Sequence, residues 1–326
     1  MAADNKTNIV RDTVRRFVHL ETKTLARYIL ANYGPLFDND LEKIRRSVRH
    51  FRGQSGKHGR DFAADKSLFI DKRIKLPSTW RKVITPYHLD PGTWLVLSDA
   101  HVPYHEALPL EAAVEAGQAE QVTGIFLNGD WQDCSSVGFW KREKNDFPAE
   151  IEAAIDSLDW LRSQFPKAKI VYKPGNHELR LPSFYAAHAP EAAQTPLACM
   201  ETLIGFEARE IEFLDYFQPV MAGELPIFHG HEFKRIHLTV NPARGLFNKT
   251  HSWAACSHCH RPSMNPARRV DDVVLTTWSF GCLCDLHPDW NPFGNEWVWG
   301  FAIINVEKDG NFEVVNRRIL PNGKVV

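Results

Sequence analysis

The chain has 326 residues, 44% hydrophobic and 24% charged, with a formal net charge of -1, values near ordinary globular usage that exclude wholesale disorder and fibrous repeats. No apolar run approaches the roughly 20 residues that span a bilayer, and the opening MAADNKTNIVRD lacks the apolar stretch of a secretory signal, so a soluble, cytoplasmic protein without a membrane partner is expected. Six cysteines are too few for a disulfide framework in a chain this long and suit a reducing compartment.

The charge is unevenly spread. Residues 1–80 carry 17 Lys and Arg against 9 Asp and Glu, so one end is basic and the remainder acidic. Helical spacing predicts three short helices in the first sixty residues, with Val10, Val14, Phe17 and Val18 on the first and Leu25, Tyr28 and Ile29 on the second. Gly34 and Pro35 stop the second, and Asn39 with Glu42 reads as a capping box for the third. On that third helix Leu41, Ile44, Val48 and Phe51 form a buried stripe, while Lys43, Arg45, Arg46, Arg49 and Arg52 crowd the other surface. The pattern suits a helix-turn-helix-like all-α domain over residues 1–56. With the following tail to Lys57 it offers contacts to nucleic-acid phosphates. The alternative is a solvated helical cap with a basic face.

Residues 57–90 read as linker and lead-in, and residues 91–326 as the main domain. There, apolar runs at Trp94–Leu97, Gly124–Leu127, Ile170–Tyr172, Leu225–Phe228 and Trp253–Cys256 predict buried strands. Helices at about 106–121 and 150–164 separate the first three, a βαβαβ order. Further strands at Val273–Trp278, Phe301–Val306 and Phe312–Arg317, with no helix between them, suggest a second sheet. Residues 181–221 fit either a lid carrying Phe184, Tyr185, Phe206 and Phe217 or a helical insertion without a catalytic part.

Each of the first five strands runs into polar groups able to hold a metal, where open α/β sheets place their ligands. These are Ser98-Asp99-Ala100-His101, Asn128-Gly129-Asp130-Trp131-Gln132-Asp133, Gly175-Asn176-His177-Glu178, His229-Gly230-His231 and Ser257-His258-Cys259-His260. Carboxylate, amide oxygen and imidazole together suit borderline divalent ions, with Mn expected first and Fe, Zn, Ni or Co as alternatives. Asp130, on a tight Gly-Asp turn, is the candidate to bridge two ions. Gly129, Gly175 and Gly230 permit the sharp turns such an approach needs.

In this order, D-x-H, G-D-x-x-D, G-N-H-E, H-G-H and x-H-x-H resemble the five blocks of the calcineurin-like metallophosphoesterase superfamily, over roughly residues 94–306. The resemblance implies a four-layer αββα sandwich behind the small all-α domain. It implies one metal at Asp99, His101, Asp130 and His260, and a second at Asp130, Asn176, His229 and His258. His177 and Asp130 are its catalytic residues, His177 lying by the scissile bond to stabilise the phosphoryl group or protonate the leaving oxygen. The implied reaction is phosphoester hydrolysis by in-line attack of a metal-bridging hydroxide. Two departures stand out. Ser257 replaces the usual Gly of the last block, and no arginine follows the Gly-Asp pair, which argues against phosphoprotein substrates.

The basic front end favours a DNA or RNA phosphodiester, hence a nuclease-type phosphodiesterase. A small-molecule phosphomonoesterase or cyclic-nucleotide phosphodiesterase is the alternative, and a DNA-binding regulator or phage structural protein with a vestigial site is the reading from another class. The appended module also resembles that of phage and mobile-element members, which would place the protein in a host-cell cytoplasm. Asp133 reads as a residue that orients a ligand or caps a turn, and His231 as either an outer partner of the site or an ordinary polar neighbour. Cys256-x-x-Cys259 with Cys282-x-Cys284 leaves open a tetrahedral zinc site or small apolar packing. Trp290, Phe293, Trp297 and Trp299 read as a substrate wall or as core. Oligomeric state and natural substrate are not encoded in any motif.

Overall fold

The structure, a computed structural model, describes residues 2–55, 78, 83–138, 146–236 and 239–326, and it divides into two units, Met1–Arg81 and Lys82–Val326. In the first, helices α1 (Ala2–Arg16), α2 (Thr22–Tyr33) and α3 (Leu41–Phe51) enclose a core of Val10, Val14, Leu25, Ile29, Phe37, Ile44 and Val48. Val18 and Tyr28, expected on buried stripes, are 59% and 39% exposed. Helix α1 ends at Arg16, so Val18 falls in the turn beyond the helical period. The cap of α3 is Asp40, whose carboxylate accepts the Lys43 N–H at 3.0 Å. Asn39 instead holds a left-handed turn residue (φ 54°), which asparagine tolerates well.

In the second unit the chain runs β1 (Tyr87–Leu89), β2 (Gly92–Leu97), α4 (Ala107–Ala119), β3 (Gly124–Asn128), α5 (Phe147–Gln164), β4 (Lys169–Lys173), α6 (Arg180–His188), α7 (Met200–Ile204), β5 (Ile211–Phe213), β6 (Val220–Ala222), β7 (Leu225–Phe228), α8 (Pro242–Thr250), β8 (Ala254–Cys256), β9 (Ser263–Arg268), β10 (Val274–Ser279), β11 (Gly300–Val306) and β12 (Phe312–Arg318). Two six-stranded mixed sheets result, ordered β12-β11-β2-β3-β4-β5 and β1-β6-β7-β8-β10-β9. Strands β2 to β5 are parallel, with β11 antiparallel on β2.

Alternation along the central strands builds the layers. Trp94, Val96, Phe126 and Val171 face the second sheet and meet Val220, Leu225, Ile227, Ala255 and Trp278 there. Leu95, Leu97, Ile125, Leu127, Ile170 and Tyr172 face the other way, onto a layer that includes Leu110 and Ala113 of α4 and Leu158 and Leu161 of α5. Leu246 of α8 packs with Ala254 and Cys256 outside the second sheet. The order is therefore helix, sheet, sheet, helix, as in the αββα class.

Three expectations change here. The last three predicted strands do not share a sheet: β10 joins the second, while β11 and β12 extend the first beyond β2. Strand β11 is buried at Phe301–Ile304, so it needs cover on both faces, and the edge beside β2 supplies it. Residues 87–89, placed in the lead-in, form β1 against β6. Segment 181–221 is neither a lid nor a purely helical insertion; it carries the edge strand β5 and stacks Phe206 on Phe213 (4.7 Å) beside Tyr172 (4.9 Å).

Candidate metal centre

The turns leaving β2, β3, β7 and β8 bring Asp99, His101, Asp130, His229, His258 and His260 together, and Asn176 follows β4 on the turn whose Gly175 packs on the Asp130 carboxylate. Asp130 Oδ2 lies 3.1 Å from His229 Nε2 and 3.9 Å from His258 Nδ1. Asp99 Oδ1 lies 3.1 Å from His260 Nε2, which is 3.2 Å from His101 Nε2. The backbone is forced at these positions: Asp99, His101, Asp130, His258 and His260 have φ between 51° and 65°, a left-handed conformation costing on the order of 1–3 kcal/mol per non-glycine residue. Five such residues at one place mark a constrained functional site. Packing tolerates it because a Cβ at Gly129 would meet the His229 ring and Gly175 Cα, and one at Gly175 would meet the Asp130 carboxylate.

Outer partners set which ring nitrogen faces inward. His101 Nδ1 lies 2.9 Å from Asp133 Oδ1, and His229 Nδ1 lies 2.7 Å from the Asn128 carbonyl. With those nitrogens donating, His101 Nε2 and His229 Nε2 are the ring nitrogens that face the centre, where a metal ion would take the place of any proton they carry. Each then confronts another electron-rich atom at about the separation of neighbouring donors on one octahedral ion with bonds of about 2.1 Å. Asn176 Oδ1 is buried without a hydrogen-bond partner, an acceptor that is costly to leave unsatisfied, and His229 Nε2 faces the buried Asp130 carboxylate at 3.1 Å; this donor set fits divalent metal ions.

The electrostatics agree. Burial pulls the His101 imidazole down, and the neighbouring His177 adds to this, to about 4. Burial also opposes the charge on His229, but the Asp130 carboxylate pushes it up to about 9. Burial would raise the Asp130 carboxyl, yet His229 and His177 hold it well below the usual carboxylate range. A proton thus balances the carboxylate where an ion would.

Asp133 reaches two rings, His101 Nδ1 at 2.9 Å and His177 Nδ1 at 3.0 Å. His177 donates its backbone N–H to Asp130 Oδ1 (2.9 Å), and its Nε2 is 3.8 Å from Asp130 Oδ2. His231 stands beside the His229 and His258 rings at 5.4 and 6.4 Å, and its Nδ1 lies 3.5 Å from Glu232 Oε2. Ser257, in place of glycine, puts its hydroxyl 2.9 Å from Asn128 Nδ2, and the turn is tied to β3. The four late cysteines form no metal-capable group of their own among the described residues; only Cys284 joins one, with His101 and His260, its Sγ 3.8 Å from His260 Nδ1.

Several contributors had no recognisable sequence signal. Glu178, fully buried, accepts the N–H groups of Asp130 (3.1 Å), Gln132 (3.0 Å) and Gly175 (2.8 Å) and the Tyr172 hydroxyl (2.6 Å); its place in G-N-H-E was the one hint. Buried Lys173 pairs with Glu232 at 2.7 Å, and Glu232 accepts the His229 (3.3 Å) and Gly230 backbone N–H groups at 2.6 Å for the latter. Arg180, three residues after His177, donates to the Asp133 carbonyl at 2.9 Å and stands 3.0 Å from His177 Nε2. A groove of about 1130 Å³ opens over the centre, lined by Asp130, His177, Arg180 and residues of 284–297; none of its lining comes from 181–221.

The predicted nucleic-acid contacts separate. Lys43 pairs with Asp38 (2.7 Å) and Arg45 with Glu42 (3.0 Å), while Arg46 and Arg49 are exposed. Arg52 turns inward and donates to the carbonyls of Val18 (3.4 Å) and Leu20 and to Thr22 Oγ1 (3.3 Å), because the α1–α2 turn leaves those carbonyls without helical partners. Lys57 lies outside the described residues.

No protein-family model matches the chain, and no curated protein sequence matches it. Solved structures similar to it include Vps29 of Chaetomium thermophilum (15% identity, 72% of this chain and 94% of that chain, TM-score 0.37). Others are YfcE, a phosphoesterase of E. coli (11%, 68% and 98%, 0.32), and a dimetal phosphatase of Danio rerio (12%, 70% and 96%, 0.33). Likenesses this weak say nothing about activity, so function has to be read from the donor atoms.

Proposed function

We propose that the chain is a dinuclear metal-dependent phosphoesterase whose substrate is a nucleic-acid phosphodiester. What supports this is the clustering of His101, His177, His229 and His258 about Asp130, with Asp99 and His260 beside His101; in this reading Asp99, His101 and His260 hold one ion and Asn176, His229 and His258 the other, with Asp130 shared. Two divalent ions held there, Mn foremost for an O- and N-donor set without thiolate, would supply a water-derived nucleophile at neutral pH and neutralise phosphate charge. Asp133 holds His101 and His177 in place, and Glu178 locks the Asp130 and Asn176 turns. His177, beside Asp130 on the groove wall, would stabilise the phosphoryl group or serve the leaving oxygen, and Arg180 next to it offers donors to a phosphate oxygen.

The N-terminal unit, with Arg46 and Arg49 exposed on α3, serves as the nucleic-acid-binding module in this reading, of the kind carried by phage and mobile-element enzymes. All six cysteines are free, in keeping with a cytoplasmic protein. The test combines metal analysis of the purified protein with a panel of chromogenic mono- and diesters. Two ions per chain and turnover of diesters, both lost in Asp130→Asn, are expected, with His177→Ala keeping metal but losing turnover. Bound metal without turnover of any ester would sink the enzyme reading in favour of a binding protein, and preference for monoesters would sink the diester assignment. Deleting residues 1–56 should weaken DNA binding and flatten its salt dependence while sparing a small ester.

A further inference from the structure

The groove extends well beyond what a phosphate group needs. Its outer wall is the segment 284–297, and aromatic rings step outward along it from a metal-binding histidine. The Trp297 ring lies 4.3 Å from that of His260 at 61°, and the Trp290 ring 5.6 Å from that of Trp297 at 62°. Trp290 is nonetheless 58% exposed, so the outer indole keeps surface for a ligand within two ring spacings of the centre.

The segment is also braced. Asp285 N–H bonds the Tyr104 carbonyl (2.9 Å), Asn295 Nδ2 spans the Leu286 (2.9 Å) and Asn291 (3.0 Å) carbonyls, and Val298 N–H bonds the His260 carbonyl (2.9 Å). The rings are therefore held in position before any ligand arrives, which lowers the ordering cost of binding. Arg180, a fork donor suited to phosphate, lines the same groove. An exposed indole and a phosphate-binding cation in one groove match a nucleotide, whose base offers a π-face and whose backbone offers charge.

We propose that Trp290 and Trp297 form a nucleobase-stacking subsite, so that the substrate is a nucleotide phosphodiester with its base unstacked, as in a single strand or a frayed end. In a duplex both faces of each base are covered by neighbours, and a base must leave the stack to lie on an indole. The inference rests on the phosphoesterase reading above and adds to it the identity of the group beyond the scissile phosphate.

Two diesters with the same leaving group separate the claims: thymidine 5′-(p-nitrophenyl phosphate) and methyl p-nitrophenyl phosphate. The metal-loaded wild type should show the lower KM for the nucleoside ester. Trp290→Ala should raise that KM about five- to a hundredfold and change turnover of the methyl ester less than twofold, and Trp290→Tyr should recover most of the loss. Equal KM values in the wild type, or loss of both esters together in Trp290→Ala, would overturn the subsite. If neither ester turns over, the phosphoesterase reading fails instead. Equilibrium dialysis of thymidine 5′-monophosphate against ribose 5-phosphate still decides the subsite: preference for the nucleotide that disappears in Trp290→Ala supports it, and no preference overturns it.

Discussion

The two units use charge in opposite ways. On the three-helix unit Lys43, Arg45 and Arg52 are engaged by Asp38, Glu42 and backbone carbonyls of the same unit, which leaves Arg46 and Arg49 as the exposed arginines of α3. At the strand ends of the large unit, Asp99, Asp130 and His229 are exposed to 1% or less, Asp99 and Asp130 sit on left-handed turns, and Asp130 faces His229. A surface cluster can balance its own charges, whereas carboxylates and imidazoles buried together need a positive charge between them, a proton or a metal ion.

The largest effect that would break this contrast is at Asp130. Asp130→Asn should lower kcat/KM at least a thousandfold and leave less than one ion per chain by elemental analysis, since one carboxylate serves both halves. Retention of two ions would remove its bridging role. Next comes Lys173→Met, which strands Glu232 in a buried site and should cost about 3–5 kcal/mol in urea unfolding. Because Glu232 fixes the His229 backbone, metal affinity should fall as well.

Metal addition sharpens the comparison from the other side. An ion at a hundredfold over its Kd should stabilise the large unit by about 2.7 kcal/mol, read as a higher melting temperature, and leave an isolated 1–56 fragment unmoved. The same titration has a definite pH sign. His229 binds a proton below about 9 in the metal-free protein, and a ligand must be neutral, so metal affinity should climb up to tenfold per pH unit between 7 and 9. A flat profile by isothermal calorimetry would contradict that protonation. The smallest effects are in the helical unit: Arg52→Ala should cost about 1–2 kcal/mol through the carbonyls it leaves bare, while Arg49→Ala should stay within about 0.5 kcal/mol yet weaken DNA binding.

The site was more legible than the sheets around it. Asp99, Asp130, Asn176, His229 and His258 each follow an apolar run, so their position at strand ends could be read from local pattern alone. Which sheet a strand joins depends on partners far away in sequence, and β11 gave no local sign that it would pair with β2. Strands β1, β5 and β6 are three residues long, too short for alternation to register. Arg180, Lys173 and Glu178 carry no motif that states a partner; their roles arise when three separate turns are brought together. The same holds for Arg52, whose basic character suggested an outward contact and whose actual targets are carbonyls left bare by a turn more than thirty residues earlier.

Glu178 ties the turn bearing Asp130 to the turn bearing Asn176, and Asp130 Oδ1 also takes the His177 N–H. Filling either half therefore sets the register of the other, and the ordering cost falls on whichever ion arrives first. Loading should be cooperative, with singly occupied chains scarce when metal is limiting, so that the protein behaves as a dormant or a fully armed population with little between.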